Sequence, residues 1–164
     1  MIIVVMGVAG SGKTTIGRKL AAALRVGFTD ADELHSPASV EKMRAGIALT
    51  DADRAPWLSA MRAKIDECGR AGANHVFACS ALKARYRELL GGGNPQVRFV
   101  YLKGDASLIG RRLRQRTGHF FNPALLASQF EILEEPQDAI TVDAGQTPDA
   151  LVGQVVAALR RGGH

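Results

Sequence analysis

An octapeptide near the amino terminus, Gly7-Val8-Ala9-Gly10-Ser11-Gly12-Lys13-Thr14, constrains the fold of this 164-residue chain more than any other feature. It follows the apolar run Ile2-Ile3-Val4-Val5-Met6 and opens a helical pattern in which Ile16, Leu20 and Leu24 recur every four residues. A strand, a glycine-rich loop and a helix in that order are the context the pattern G-x-x-x-x-G-K-[ST] requires. Its glycines let the backbone curl around phosphate with the N–H groups inward. The helix start adds unpaired N–H groups and the positive end of its dipole. The pattern therefore assigns Gly7, Val8, Ala9, Gly10, Ser11, Gly12, Lys13, Thr14 and Thr15 to ATP. Lys13 reaches the β- and γ-phosphates, and the Thr14 hydroxyl is a ligand for Mg²⁺.

The rest of the chain alternates strand and helix, which predicts a five-stranded parallel sheet flanked by helices, an α/β P-loop NTPase fold. The expected strands are Ile2–Met6, Val26–Thr29, Asn74–Cys79, Val97–Leu102 and Ala139–Val142. The length fits one domain, residues 1–164, with a substrate-binding helical segment over about 34–72 and a lid over about 111–124. Helices are expected over Ser36–Ala45, from an Asp53 cap through Cys68, over Leu82–Leu90 and over Ala124–Glu135, with a last one from Pro148.

Ligands of open α/β sheets collect at the carboxyl ends of the strands. Asp30 and Asp32 end the second strand and point the same way. One is expected to support Mg²⁺ through water and the other to accept a proton from the attacking hydroxyl; the competing role for either is to cap the next helix. At the end of the third strand, Ser80 and Lys83 are candidate site residues, although Ser80 could equally cap a helix and Lys83 be solvated. Trp57 falls on a buried helical face with Met61, Ile65 and Cys68, so it reads as core before ligand platform. Arg112 and Arg116 are four apart on one helix face and precede a glycine-containing segment, as a phosphate-covering lid needs. The turn Asp143–Thr147 falls where a nucleotide base can rest.

Bulk properties narrow the field. Lys and Arg number 21 against 16 Asp and Glu, a net charge of +5, which suits nucleic acid or an enzyme of anionic substrates. No basic block and no regular stacking aromatics occur, so no nucleic-acid partner is expected. Nor does any apolar run approach membrane-spanning length. Cys68 and Cys79 lack metal-ligand spacing and read as reduced thiols of a cytoplasmic protein. No N-K-x-D string specifies guanine, which argues against a GTPase.

Longer strings add to the phosphate loop: Asp30-Ala31-Asp32-x-Leu34-His35; Lys42-Met43-x-x-Gly46-x-x-Leu49-x-Asp51-x-Asp53-Arg54-x-Pro56-Trp57-Leu58; Cys79-Ser80-Ala81-Leu82-Lys83; Tyr101-Leu102-Lys103-Gly104; Arg112-Leu113-x-x-Arg116-x-Gly118-His119-Phe120-Phe121; and Gln129-Phe130-Glu131-x-Leu133-Glu134-x-Pro136. Together they resemble gluconokinases of the thermoresistant type over nearly the whole chain. The resemblance implies ATP- and Mg²⁺-dependent phosphorylation of D-gluconate at its 6-hydroxyl, a nucleoside-monophosphate/shikimate kinase-like architecture and a homodimer. It nominates Lys13, Asp32, Arg112 and Arg116 as catalytic, Thr14 and Asp30 as metal-supporting, and Asp32, His35, Arg54, Lys83 and His119 as substrate-binding, with Lys42 and Arg44 behind them. Ala48 departs from a position that often holds Pro, and Thr14 from a frequent Ser; neither removes a reacting group. A shikimate or nucleoside-monophosphate kinase, or a nucleotide-binding protein without turnover, is the alternative.

Overall fold

The computed structural model describes residues 1–115 and 123–162. Five parallel strands form one sheet: β1 (Ile2–Met6), β2 (Gly27–Asp30), β3 (His75–Ala78), β4 (Val97–Lys103) and β5 (Ile140–Asp143), in the order β2-β3-β1-β4-β5. All five residues of β1 are buried, as a central parallel strand covered on both faces demands. Its alternation divides the core in two. Ile2, Val4 and Met6 face Trp57, Met61, Ile65, Phe77 and Tyr101. Ile3 and Val5 face Ile16, Leu20, Val100, Leu151 and Val155 on the other side.

The second face is covered by α1 (Lys13–Leu24) and α7 (Pro148–Arg161); the first by α3 (Asp51–Arg70) and α4 (Ala84–Gly91). A 3-10 turn (Ala31–Leu34) and α2 (Pro37–Arg44, capped by Ser36) join β2 to α3. After β4 come α5 (Ala106–Gln115) and α6 (Pro123–Ile132).

Three helix starts or stops differ from expectation, each for a local reason. Thr50, not Asp53, caps α3. Thr50 and Asp53 form a reciprocal capping box, the Asp53 N–H donating to Thr50 Oγ1 at 3.1 Å and the Thr50 N–H to Asp53 Oδ2 at 2.9 Å. Ser80 does not cap α4, which begins only at Ala84. Ala81 takes a left-handed φ of 44°, and buried Arg87 clamps the Ala81 and Leu82 carbonyls at 2.8 and 3.1 Å. Helix α6 ends before Pro136 because the Glu134 N–H leaves the helix ladder to bond the Leu82 carbonyl at 2.8 Å. Both cysteines are free, and complete burial pushes the Cys79 thiol up to about 12. No helix among the described residues is long and apolar enough to cross a membrane.

Candidate active site

The loop after β1 sits at the carboxyl edge of the sheet between the ends of β3 and β4. Gly10 (φ 79°) and Gly12 (φ 100°) take left-handed conformations. A Cβ on Gly10 would also lie 2.8 Å from Leu113 Cγ, so α5 rests directly on the loop. Gly12 precedes α1 with no capping side chain, and no acid stands in the first turn, which leaves that helix start open to an anion. Lys13 reaches back across the loop and donates from Nζ to the Val8 carbonyl at 3.0 Å.

Two cavities flank this loop and share Gly10 and Gly12 as walls. The first, about 360 Å³, is lined by Ser11, Thr15, Arg112, Gln115, Ala144, Gln146, Pro148 and Leu151. It thereby joins the phosphate loop, the α5 arginine and the expected base-binding turn. The second, about 470 Å³, is lined by Ala9, Lys13, Thr14, Asp32, His35, Arg44, Arg54, Trp57, Ser80 and Gln129, among others.

Asp30 and Asp32 divide their duties by position. One Asp30 oxygen accepts from the Thr14 hydroxyl at 2.7 Å and the other from the Asp32 N–H at 3.0 Å, so Asp30 caps the 3-10 turn and marks the Thr14 site at once. That hydroxyl and carboxylate are hard oxygen donors of the kind Mg²⁺ takes. No cluster of three or more His, Cys, Asp or Glu among the described residues could cage a metal alone. Phosphate oxygens and water would have to complete the shell, which is the usual situation for Mg²⁺ beside a nucleotide. Asp32, one residue beyond the turn's start, is exposed and opens into the second cavity.

Across that cavity stand His35 and Arg54. His35 stacks on Trp57 with centroids 4.3 Å apart, and the Trp57 indole N–H donates to the Ala31 carbonyl at 2.6 Å. Trp57 is thus both core and cleft wall. Burial holds the His35 imidazole below its ordinary value against the opposing pull of Asp32, so it is predominantly neutral at pH 7; its Nδ1 is buried without a hydrogen-bond partner among the described residues. Arg54 donates to the Tyr86 hydroxyl at 3.3 Å, with its guanidinium 5.7 Å from that ring's centre. The Tyr86 hydroxyl in turn donates to Asp51.

Other expected residues fall elsewhere. Lys83 does not line the cleft. It pairs with Asp51 at 3.1 Å and lies over the Tyr86 ring, because the Ala81 bend turns it toward α3. Lys42 pairs with Asp53 at 2.9 Å, bracing α2 on α3, and the Thr50 N–H and Lys42 hold the Asp53 carboxyl at about 2. Gly7 and Val8 line neither cavity: the Gly7 N–H donates to the Ser80 carbonyl at 3.4 Å, and the Val8 side chain is buried beside Leu82 and Ile109. They shape the loop from outside the two cavities. Arg116 and His119, with the centre of the expected lid, lie outside the described residues. Sequence reasoning missed the Asp51–Tyr86–Arg54 chain, the Arg87 clamp and Gln129, whose Oε1 accepts from the Ala9 N–H at 2.7 Å. These pairings join residues up to 120 positions apart, and only the fold brings them together.

The cavities on either side of one phosphate loop match the layout of small-molecule kinases, and the comparisons agree. A profile of the shikimate kinase family matches residues 9–160. Thermoresistant gluconokinase of Escherichia coli (strain K12) is 41% identical over 165 residues, covering 98% of this chain and 94% of that protein. The chain belongs to the gluconokinase family. A probable gluconokinase of Dictyostelium discoideum is 51% identical over 142 residues, 83% of this chain and 71% of that one. The crystal structure of a gluconokinase from Sinorhizobium meliloti 1021 superposes with a TM-score of 0.87 at 40% identity, covering 97% of this chain and 91% of that one. Family membership accounts for the shared fold. It leaves the role of each side chain to the geometry.

Proposed function

We propose that this protein transfers the terminal phosphoryl group of ATP to the 6-hydroxyl of D-gluconate, giving 6-phosphogluconate and ADP. The observation that carries the reading is the pair of cavities meeting at Gly10 and Gly12, one reaching the Gln146–Pro148 turn and the other holding Asp32, His35 and Arg54. ATP lies in the first with its phosphates in the loop. Gluconate lies in the second.

Phosphoryl transfer leaves the protein mainly positioning and charge neutralisation. Lys13 and the loop amides hold the β- and γ-phosphates, and Arg112 covers them from α5. Thr14 and Asp30 would hold Mg²⁺, which would offset phosphate charge when bound. The Asp32 carboxylate accepts the proton of the 6-hydroxyl as that oxygen bonds to the γ-phosphorus and the bond to the β,γ-bridging oxygen breaks, releasing ADP. At the far end of the substrate, Arg54 meets the gluconate carboxylate as a planar cationic donor. Neutral His35 bonds a hydroxyl without adding charge. The family resemblance adds Arg116 for the phosphates and His119 for the substrate. The protein works in the cytoplasm as a homodimer, following the family resemblance.

A coupled assay with ATP, Mg²⁺ and D-gluconate tests the proposal, with shikimate and AMP as competing acceptors. ADP release with gluconate, and 6-phosphogluconate as product, is the expected result. Faster turnover of either competitor would replace gluconate as the substrate.

A further inference from the structure

Gln129 projects from α6, the helix that follows residues 116–122, and its side chain reaches the phosphate loop. Its Oε1 accepts from the Ala9 N–H at 2.7 Å. That bond fixes the amide's orientation, because a backbone N–H can face only an acceptor. Nε2, with two N–H donors, must therefore point away from Ala9, and it has no hydrogen-bond partner among the described residues. Gln129 lines the acceptor cavity together with Lys13, Thr14 and Asp32. Ala9 lines that cavity and not the other, so Gln129 sits on the acceptor side of the loop, where the terminal phosphoryl group leaves the nucleotide.

We propose that Gln129 is a further catalytic residue, donating from Nε2 to an oxygen of the phosphoryl group as it passes between ATP and the acceptor. In the transition state charge spreads over three equatorial oxygens, and Lys13 and Arg112 approach from the loop and from α5. The face toward α6 is served by an uncharged donor. A lysine or arginine there would compete with Arg54 for the substrate carboxylate and let gluconate bind reversed. A neutral amide stabilises the transferring group without offering that second anion site. Its bond to Ala9 holds the donor in place before substrate arrives, as electrostatic catalysis requires.

The inference rests on the gluconate reading for its acceptor but not for its nucleotide, and the test separates the two. Gln129→Glu keeps the shape and an oxygen for the Ala9 N–H, removes both donors and adds a negative charge. Gln129→Ala removes everything. Turnover with gluconate is expected to fall roughly 100-fold or more in Gln129→Glu, and further than in Gln129→Ala, as for loss of one preorganised donor. A non-hydrolysable ATP analogue with Mg²⁺ should bind the Glu variant about tenfold more weakly, with ADP affinity held within about twofold. Wild-type turnover in Gln129→Glu beside a defective Gln129→Ala would mean that the residue only braces the loop, and would overturn the proposal. So would equal weakening of ADP and the analogue. The titrations need no gluconate, so a wild-type protein that binds the analogue yet fails to phosphorylate gluconate defeats the substrate assignment alone.

Discussion

The two sides of the phosphate loop are built by different means. On the nucleotide side the phosphate-facing surface is largely backbone: loop amides, the uncapped start of α1 and two glycines in left-handed conformations. That phosphate-facing part comes from one continuous stretch, residues 7–15, to which α5 adds Arg112 and the turn after β5 adds Gln146 and Pro148. The acceptor side is assembled from side chains on the segment after β2, α3 and α6, several of them held by partners distant in sequence. Asp51 holds Tyr86, which holds Arg54; Trp57 backs His35; Ala9 holds Gln129. Backbone recognition suits the invariant triphosphate. Side-chain recognition suits the partner that distinguishes one small-molecule kinase from another, since only side chains can encode the positions of a carboxylate and several hydroxyls.

If that division holds, substitutions on the acceptor side should change chemistry or gluconate affinity and leave ATP binding alone. The largest effect is expected at Asp32. Asp32→Asn keeps the size and removes the base, so kcat should fall by about 10²–10⁴ while ATP affinity, read by titration, stays unchanged. A parallel loss of nucleotide binding would merge the two sides into one. Next comes Tyr86→Phe, which deletes the hydroxyl linking Asp51 to Arg54. KM for gluconate should rise roughly fivefold to tenfold, the cost of about 1 kcal/mol for one hydrogen bond, with KM for ATP and the melting midpoint nearly constant. A kcat effect without a KM effect would remove Arg54 as the carboxylate ligand.

The smallest effect concerns pH. Burial holds the His35 pKa below the ordinary 6.5, so the unfolded chain takes up this proton at a higher pH than the folded chain. Stability from this group is therefore complete above 6.5, declines as pH falls from there toward the folded value, and levels off below it. His35→Gln should flatten that part of the profile in urea unfolding series run at successive pH values. An unchanged slope would mean that the imidazole charges freely in the folded protein.

The same division explains what could be read from the sequence. The phosphate loop is one contiguous string between a strand and a helix, so it was legible at once, while its contacts with Ser80, Leu113 and Gln129 were not. The strands themselves followed from apolar runs, whereas their order β2-β3-β1-β4-β5 and the division of Ile2, Val4 and Met6 from Ile3 and Val5 between two cores came only with the fold. Asp32 was legible from its place at a strand end, and His35 and Arg54 because their strings resemble a family, yet the surroundings that hold His35 and Arg54 were not. Tyr86 sits 32 residues from Arg54, and Arg87 reaches from α4 to the Glu134 carbonyl at 2.7 Å. Lys83 shows the converse: a cation at the right strand end, turned from the cleft by a single left-handed residue, Ala81. No periodicity announces such a bend, because alanine seldom adopts it.

The central claim is that one loop presents the terminal phosphate of ATP to a hydroxyl aimed by Asp32. A crystal structure with gluconate and a non-hydrolysable ATP analogue tests it most directly. It should place the 6-hydroxyl within about 3 Å of the Asp32 carboxylate and in line with the γ-phosphorus, with the gluconate carboxylate on Arg54. Gluconate bound with its carboxylate toward Lys13, or with its 6-hydroxyl remote from Asp32, would contradict the account.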